Sequence, residues 1–313
     1  MKYDINMSQV DILMATYNGS NFITSQIYSI LSQTFTDWNL IIHDDGSDDK
    51  TIEKIQSFCK MDSRINLVVD EYKFRDPGNH FLYLLQYSTA PFICFCDQDD
   101  VWLENKLEVM HAAIVSKEQT KEQVIFSDAY LYNSNNIWGR LLTSRPKNLK
   151  ELLFINGGIH GSACIFNRKM KTTLTSVQIE HVQMHDHLLT LVGCSFGSID
   201  YLNNKLFLYR QHSKNVTGNI ECNMIKRFIR AFNYRSPKYV LDKKVINSIT
   251  EFKQKFAYRI SAYDSRVFEK YIYITQMSNP ILRFYLIFKE GFSLGNSKSH
   301  LWIKVLTRRF VKL

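Results

Sequence analysis

Four short apolar runs, separated by stretches with helical spacing, dominate the first hundred residues of this chain. The runs are typical of β-strands, and the stretches between them repeat apolar residues every three or four positions. Strands that alternate with helices predict an α/β fold with a mostly parallel sheet and helices on both faces. The predicted strands are Val10–Met14, Trp38–Ile42, Ile65–Val69 and Phe92–Cys96.

Polar side chains follow three of these strands directly. Ligands of parallel sheets bind outside the carboxyl ends of the strands. We therefore expect these side chains to gather at one edge of the sheet and to form a site there. The residues concerned are Thr16, Tyr17, Asn18, Asp44, Asp45, Asp97, Asp99 and Asp100.

The turn after the fourth strand places three carboxylates within four residues, at Asp97, Asp99 and Asp100. Carboxylates this close repel one another unless a cation lies between them. Mg²⁺ or Mn²⁺ suits such a cluster, especially when the phosphates of a substrate complete the coordination shell. The alternative is a solvated acidic turn in which Asp100 caps a helix that begins near Trp102.

The pattern after residue 100 predicts further strands and helices in a less regular order. A helix is expected from Lys106 to about 116, and an amphipathic helix over 184–194. Residues 198–201 and 205–209 are expected to form a hairpin across Asn203 and Asn204. Short strands are expected at Val124–Phe126 and Ala129–Tyr132.

Charge divides the chain into two regions. Residues 221–313 hold 19 Lys or Arg and 6 Asp or Glu, although the whole chain carries only +9. We therefore predict one domain over 1–218 and a basic helical region over 219–313. No run reaches the length of a transmembrane helix, and the N-terminus is too polar for a signal peptide. The six cysteines lack zinc-ligand spacing, so we expect reduced thiols in a cytoplasmic protein.

The last residues mix large apolar side chains with Lys and Arg. Residues 280–293 and 301–313 are too short to span a bilayer but suit its interface, beside anionic headgroups at the inner face of the cell membrane. Packing on the domain over 1–218, or on a second subunit in a homo-oligomer, is the alternative. Nucleic acid is not an expected partner, because the cations are spread between apolar helical positions and no nucleic-acid motif accompanies them.

Seven motifs occur in the order found in family 2 glycosyltransferases, which the chain resembles over about residues 10–215. They are Met14–Asn18, Ser29–Phe35, Asp44–Asp49, Gly78–Asn79, Asp97–Asp100, His185–Asp186 and Tyr209–His212. The resemblance implies a GT-A fold and an inverting transfer from a nucleotide-diphosphate sugar. The sequences of Cys96–Trp102 and of residues 185–215 are most similar to the rhamnosyltransferase-like branch. This branch builds bacterial cell-surface polysaccharides on glycan or lipid-linked acceptors.

The resemblance also implies roles for single residues. Tyr17 would flank the base, with Thr16 and Asn18 nearby, and Asp45 rather than Asp44 would bond the N3–H of the base. Asp99 would ligate Mn²⁺ or Mg²⁺, with Asp97 near the ribose or the metal. His212 would complete the metal shell or contact the diphosphate, unless it is a surface histidine, and Arg210 would balance phosphate charge. Asn79 and Asp100 fall in motifs assigned to donor binding.

Asp186 corresponds to the catalytic base of the family. Inversion needs a carboxylate that takes the proton of the acceptor hydroxyl, and a helix N-terminus would keep this one ionised. A plain helix cap is the alternative. His185 and His187 are candidates for bonding the acceptor, although packing is the favoured interpretation for His187.

Two other classes of protein remain open at this stage. A nucleotidyltransferase shares this kind of sheet, but it usually carries a Gly-rich basic loop after the first strand. Here that loop is Ala15–Gly19, with one glycine and no Lys or Arg. A catalytically silent nucleotide-sugar-binding protein is the second alternative, which only an assay separates from an enzyme.

Overall fold

The computed structural model describes residues 8–133, 135–141, 144–212 and 239–311. In this part of the chain nine strands form one sheet, with helices packed against it. The predicted α/β class is confirmed. The strands are β1 (Val10–Thr16), β2 (Trp38–Asp44), β3 (Ile65–Val68), β4 (Phe92–Asp97), β5 (Val101–Trp102), β6 (Glu122–Tyr132), β7 (Ile137–Trp138), β8 (Cys164–Asn167) and β9 (Gly197–Arg210).

Helices connect most of the strands and continue beyond the sheet. Two short 3₁₀ turns, Leu85–Tyr87 and Gly161–Ala163, accompany them. The helices are α1 (Ile23–Leu31), α2 (Thr51–Met61), α3 (Pro77–Leu84), α4 (Lys106–Val115), α5 (Leu149–Leu152), α6 (Arg168–Thr175), α7 (His185–Phe196), α8 (Lys243–Lys255), α9 (Ala262–Gln276), α10 (Pro280–Lys289) and α11 (Lys298–Thr307).

The sheet has the order β3-β2-β1-β4-β8-β6-β9-β5, with β7 paired to β6. The four strands predicted first pair in parallel, so their carboxyl ends meet at one edge. Strand β8 runs antiparallel to β4 and β6, and β5 runs antiparallel to β9. The apolar runs of β1 and β4 are buried almost throughout, as expected for central strands.

The predicted hairpin at Asn203 and Asn204 is wrong, because residues 197–210 form one strand. Strand β9 pairs in parallel with β6, Ile199 opposite Val124 and Leu208 opposite Tyr130. The register shifts between Phe126 and Tyr130, and these irregularities keep the strands paired past the two asparagines. The two short strands predicted at 124–132 are likewise one strand, β6.

The region after residue 239 is helical and packs on the sheet. Arg259 donates to the buried Glu122 of β6 at 2.6 Å, and Glu251 accepts the backbone N–H groups of Glu180 and His181. The predicted domain boundary near residue 218 falls in 213–238, outside the described residues, and stays a prediction. None of the described helices is long and apolar enough to cross a membrane.

The structure also bears on three smaller predictions, which concern a helix near Trp102, a helix cap at Asp100 and the cysteines. No helix begins near Trp102, because that residue lies in β5 and the next helix begins at Lys106. The interpretation of Asp100 as a helix cap is therefore wrong. Five of the six cysteines lie in the described residues, where they are free thiols, three of them buried, and Cys222 lies outside.

Candidate active site

The acidic turn and the turn after β1 are held together at the edge of the sheet. Gln98 accepts from the backbone N–H of Tyr17 at 3.0 Å and donates to its carbonyl at 2.9 Å. These two bonds fix the loop that carries Thr16, Tyr17 and Asn18 against the carboxylates that follow β4. The predicted meeting of strand ends is confirmed for these two loops.

The three carboxylates of the acidic turn differ in their surroundings. Asp97 and Asp99 are half-buried, whereas Asp100 is fully buried and accepts from the backbone N–H of Arg210 at 3.1 Å. Burial, together with the charges of Asp99 and Asp97, raises the pKa of Asp100 well above its usual range. Asp100 thus anchors the end of β9 from the inside, and its predicted contact with a donor stays a prediction.

Arg210 and His212 reach this turn from the far end of the chain. The imidazole Nε2 of His212 lies 2.7 Å from Oδ2 of Asp99, and its ring stacks on Phe22 with centroids 4.8 Å apart. Arg210 donates to the carbonyl oxygen of Asp99 at 2.7 Å and lies over Tyr132. Residues 111 and 113 positions away from Asp99 therefore complete this side of the site.

The two aspartates after β2 are engaged to different degrees. Oδ1 of Asp44 accepts the N–H groups of Gly46 and Ser47, and Oδ2 accepts the hydroxyls of Ser47 and Thr16. A carboxylate has about four lone-pair sites, so those of Asp44 are filled.

Asp45 is buried and accepts only two bonds among the described residues, from the N–H groups of Phe74 and Arg75 at 2.5 and 2.7 Å. Two of its lone-pair sites therefore remain for a ligand. Beside it, Tyr17 is 54% exposed, and Asn18 adopts a left-handed φ of 46°. Asn18 also accepts from the N–H of Asp48 at 3.0 Å, which ties the β1 and β2 turns together.

Asp186 lies in the first turn of α7, wrapped by the glycine turn at 157–161. A Cβ atom on Gly158 would lie 2.2 Å from the carbonyl oxygen of Asp186, so only glycine permits this approach. Gly78 meets the segment before Asp186 in the same way, with Met184 Cα 3.1 Å from its Cβ position. The backbone N–H of Asn79 next to it donates to Asp76 at 3.0 Å, which caps α3.

The expectation that the helix N-terminus keeps Asp186 ionised is wrong at pH values below 7. Burial, followed by the charge of Asp97, raises the pKa of Asp186 to about 7, and the backbone N–H groups of Gly158, Gly161 and His187 oppose this only in part. The influence of Asp97 shows that the two carboxylates share one environment. A pKa near neutral suits a general base.

The histidines on either side of Asp186 are packed in the core. His185 contacts the rings of Phe81 and Phe95, with centroids 4.1 and 4.7 Å away. Burial lowers the pKa of His185 to about 3 and that of His187 to about 4, so both imidazoles are neutral. The packing interpretation favoured for His187 is confirmed by its full burial, and His185 shares it.

Lys106 is a residue of the site that the sequence did not indicate. It is fully buried, its ammonium group donates to the carbonyl of Ser162 at 2.5 Å, and it lies over the rings of Trp102 and Phe207. Burial raises the pKa values of Asp97 and Asp100, and the positive charge of Lys106 opposes only part of that rise. Its only sequence signal is a lysine on the apolar side of α4, where Leu107, Met110 and Ile114 are also buried.

The carboxylate of Asp99 and the imidazole of His212 are both ligands that suit Mn²⁺, and they lie next to each other. Asp97 belongs to the same acidic turn, and its charge also raises the pKa of Asp186. The described residues hold no group of three or more His, Cys, Asp or Glu side chains already arranged around a metal position. The residues therefore fit a cation whose remaining ligands come from a bound substrate.

An α/β sheet with acidic loops at the carboxyl ends of its strands defines a GT-A-like fold, and known structures share it. One is the crystal structure of Staphylococcus aureus TarS 1–349 in complex with UDP-GlcNAc. The match covers 96% of this chain and 91% of the TarS chain, with a TM-score of 0.53 and 13% identity. The mannosyltransferase PcManGT from Pyrobaculum calidifontis, in complex with GDP-Man and Mn²⁺, covers 97% and 86%, with a TM-score of 0.55 and 11% identity.

Sequence comparison then gives the family. Residues 11–172 match Glycosyl transferase family 2, and the chain belongs to this family. It is 31% identical over 194 residues to WfgD of Escherichia coli, a UDP-Glc:alpha-D-GlcNAc-diphosphoundecaprenol beta-1,3-glucosyltransferase, covering 62% of this chain and 73% of WfgD. It is 28% identical over 226 residues to the dTDP-rhamnosyl transferase RfbG of Shigella flexneri, covering 66% and 73%.

Proposed function

We propose that this glycosyltransferase moves a sugar, with inversion, from a nucleotide-diphosphate sugar to a hydroxyl group of a lipid-linked glycan in bacterial surface polysaccharide synthesis. The observation that carries the proposal is the shared environment of Asp97 and Asp186 at the carboxyl edge of the sheet. Asp97 belongs to the acidic turn on the proposed donor side and Asp186 is the candidate base, so this environment supports one site that holds both groups an inverting transfer needs.

The nucleotide is proposed to bind between the turns after β1 and β2. Asp45 retains lone pairs for the N3–H of a pyrimidine base, and the exposed ring of Tyr17 offers a surface for stacking. Asp44 supports this pocket rather than touching the base, because its oxygens are filled by Thr16 and the turn that follows. Asn18 and Asn79 are proposed to contact the bound donor as well.

Asp99 and His212, with Asp97 beside them, are proposed to hold Mn²⁺ or Mg²⁺. When bound, the cation would offset the charge of the leaving diphosphate. Arg210 adds a fixed positive charge next to Asp99.

Asp186 is proposed to take the proton of the acceptor hydroxyl as its oxygen attacks the anomeric carbon. A new C–O bond forms on the face opposite the diphosphate, the bond from the anomeric carbon to the diphosphate breaks, and the nucleoside diphosphate leaves. A carboxylate with a pKa of about 7 is sufficiently basic for this step and is ionised in half of the molecules at that pH.

The printed names of two relatives support two kinds of donor for this proposal. WfgD is named for UDP-glucose and a diphosphoundecaprenol-linked acceptor, and RfbG for dTDP-rhamnose. Both names fit a uracil or thymine base, each of which carries an N3–H for Asp45. We propose rhamnose or glucose as the transferred sugar and a polyprenyl-diphosphate-linked glycan as the acceptor, reached at the inner face of the cell membrane.

A donor screen tests this function. The purified protein with Mn²⁺ is incubated with dTDP-rhamnose, UDP-glucose and UDP-GlcNAc, with and without a lipid-linked GlcNAc acceptor, and released nucleoside diphosphate is measured. We expect acceptor-dependent release from one donor, loss of release with EDTA, and an inverted anomeric configuration in the product by NMR. A retained configuration would reject Asp186 as the base of an inverting step. Nucleotide binding without turnover of any donor would favour a silent binding protein.

A further inference from the structure

The helices after residue 277 leave an apolar surface uncovered among the described residues. Exposed large side chains recur at helical spacing along one side of α10 and along one side of α11. Phe288 and Trp302 join the two helices, with ring centroids 5.4 Å apart. We call this surface the C-terminal face, and it comprises Ile281, Leu282, Tyr285, Phe288, Ile303 and Leu306.

The exposure of this face is unlike that of helix α8 in the same region. In α8 the apolar residues Val245, Ile246, Ile249 and Phe252 are all buried against the protein. In α10 only Ile287 is buried, whereas Ile281 is 81% and Phe288 is 55% exposed. Contiguous exposed apolar surface of this kind marks an interaction site.

The net positive charge around the C-terminal face favours an anionic bilayer over a second copy of the chain. Residues 277–311 contain a single acidic residue, Glu290, and six Lys or Arg, of which Lys304 donates to the carbonyl of Phe154 and is not available to a partner. The carboxylate of Glu290 is already paired with Lys270 at 2.5 Å. A second copy would bring cations against cations, which is unfavourable. An anionic bilayer offers both an apolar interior for the large side chains and negative headgroups for the cations.

We propose that the C-terminal face docks on an anionic lipid bilayer, with α10 and α11 lying in the plane of the interface. Each helix has ten residues, about 15 Å in length, which is half of what a bilayer core requires. The ring of Tyr285 has the ammonium group of Lys289 5.8 Å from its centroid, so an amphipathic ring and a cation lie together at the headgroup level. This inference rests on the proposed function in one respect: docking would bring the enzyme to a lipid-linked acceptor in the bilayer.

Vesicle sedimentation of the full-length protein tests the proposal. Vesicles of phosphatidylglycerol are compared with vesicles of phosphatidylcholine at low and high salt. The test variant carries Ile281→Ser, Phe288→Ser and Leu306→Ser. A matched control variant carries Met61→Ser, Val69→Ser and Tyr258→Ser, which are 65%, 84% and 75% exposed elsewhere on the protein.

We expect the wild type and the control variant to bind phosphatidylglycerol at low salt and to dissociate at high salt. The test variant should bind at least ~10-fold more weakly, since three inserted side chains are lost. Wild-type protein that ignores anionic vesicles, or a test variant that binds like the wild type, overturns the proposal. A wild-type dimer that becomes a monomer in the test variant, without vesicle binding, assigns the face to a second copy instead.

Two further readouts separate this proposal from the proposed function. The test variant should keep wild-type circular dichroism and wild-type turnover with a water-soluble acceptor, because the face does not touch the catalytic residues. Turnover without vesicle binding rejects only the docking surface. Vesicle binding without turnover of any nucleotide sugar rejects only the proposed function.

Discussion

The acidic edge of the sheet buries polar groups, whereas the C-terminal face exposes apolar groups. At the edge, carboxylates of Asp44, Asp45 and Asp100 are partly or fully withdrawn from water, and each accepts hydrogen bonds from the surrounding chain. At the C-terminal face, Ile281 and Leu306 are large, apolar and more than two thirds exposed. Buried polar groups need partners within the fold, whereas exposed apolar groups indicate a partner outside it.

The difference teaches where each region gets its specificity. The edge is preorganised by contacts between loops, so it suits a small charged ligand that must be held in one orientation. The C-terminal face consists of exposed apolar side chains and suits a soft, extended surface. Changes at the edge should therefore alter catalysis with the fold intact, and changes elsewhere should alter stability or location with catalysis intact.

The largest effect is expected at Asp99. Asp99→Ala removes the carboxylate that pairs with His212, so we expect turnover below detection and loss of Mn²⁺-dependent nucleotide binding, measured by calorimetry. Circular dichroism should be unchanged, because Asp99 is half-buried and lies in a turn. Asp48→Ala, an exposed aspartate in the β2 turn, is the control and should keep Mn²⁺ dependence. An Asp99→Ala enzyme with wild-type metal dependence would remove this residue from the proposed metal site.

The next effect concerns Asp186. Asp186→Asn keeps the size of the side chain but cannot take a proton, so we expect kcat to fall by about 10²–10⁴-fold while the Kd of the nucleotide stays nearly constant. Steady-state kinetics with saturating acceptor and nucleotide titration measure the two quantities. Near wild-type turnover would make Asp186 a helix cap and place the base elsewhere.

A destabilising change away from the edge sharpens the comparison. Arg259→Met leaves the buried Glu122 without its cation, and breaking such pairs costs about 3–5 kcal/mol, here near the low end because Arg259 is about one third exposed. The free energy of unfolding by urea should fall, while kcat of the folded enzyme should not. Lys253→Met breaks the ion pair between Lys253 of α8 and Glu269 of α9, whose carboxylate is largely exposed, and should cost much less than Arg259→Met. Equal losses in the two variants would show that Glu122 is not stabilised by Arg259.

The smallest effect is in the pH dependence. Asp186 must be ionised to act as a base, and its pKa is raised to about 7, so kcat/KM should rise with pH up to about 7 and then level off. Below that value it should fall about tenfold per pH unit. The residual activity of Asp186→Asn should lack this dependence. A wild-type profile that is flat between pH 5 and 8 would assign the proton transfer to another group.

Much of the acidic edge was predictable from the sequence. Strand ends are visible as apolar runs that stop at polar residues, and parallel strands bring those ends together. The positions of Thr16, Asp45 and Asp97 follow from that rule alone. The order of the motifs gave the family, which residues 11–172 confirm.

Contacts between distant segments were not predictable in the same way. Asn203 and Asn204 have the local propensity of a turn, yet the pairing of β9 with β6 continues the strand through them. Local propensity is weak compared with the pairing of a whole strand. Asp44 and Asp45 look equivalent in the sequence, and only the hydrogen bonds around them distinguish a filled carboxylate from one with room for a ligand.

By itself, the sequence determined the first four strands, the acidic edge and the basic end, because these depend on periodicity and charge. The tertiary structure decided which groups meet. It placed His212 beside Asp99, buried Lys106 near the carboxylates and raised the pKa of Asp186. Hydrogen bonds, burial and electrostatic influence act through distance in space, which spacing along the chain does not specify.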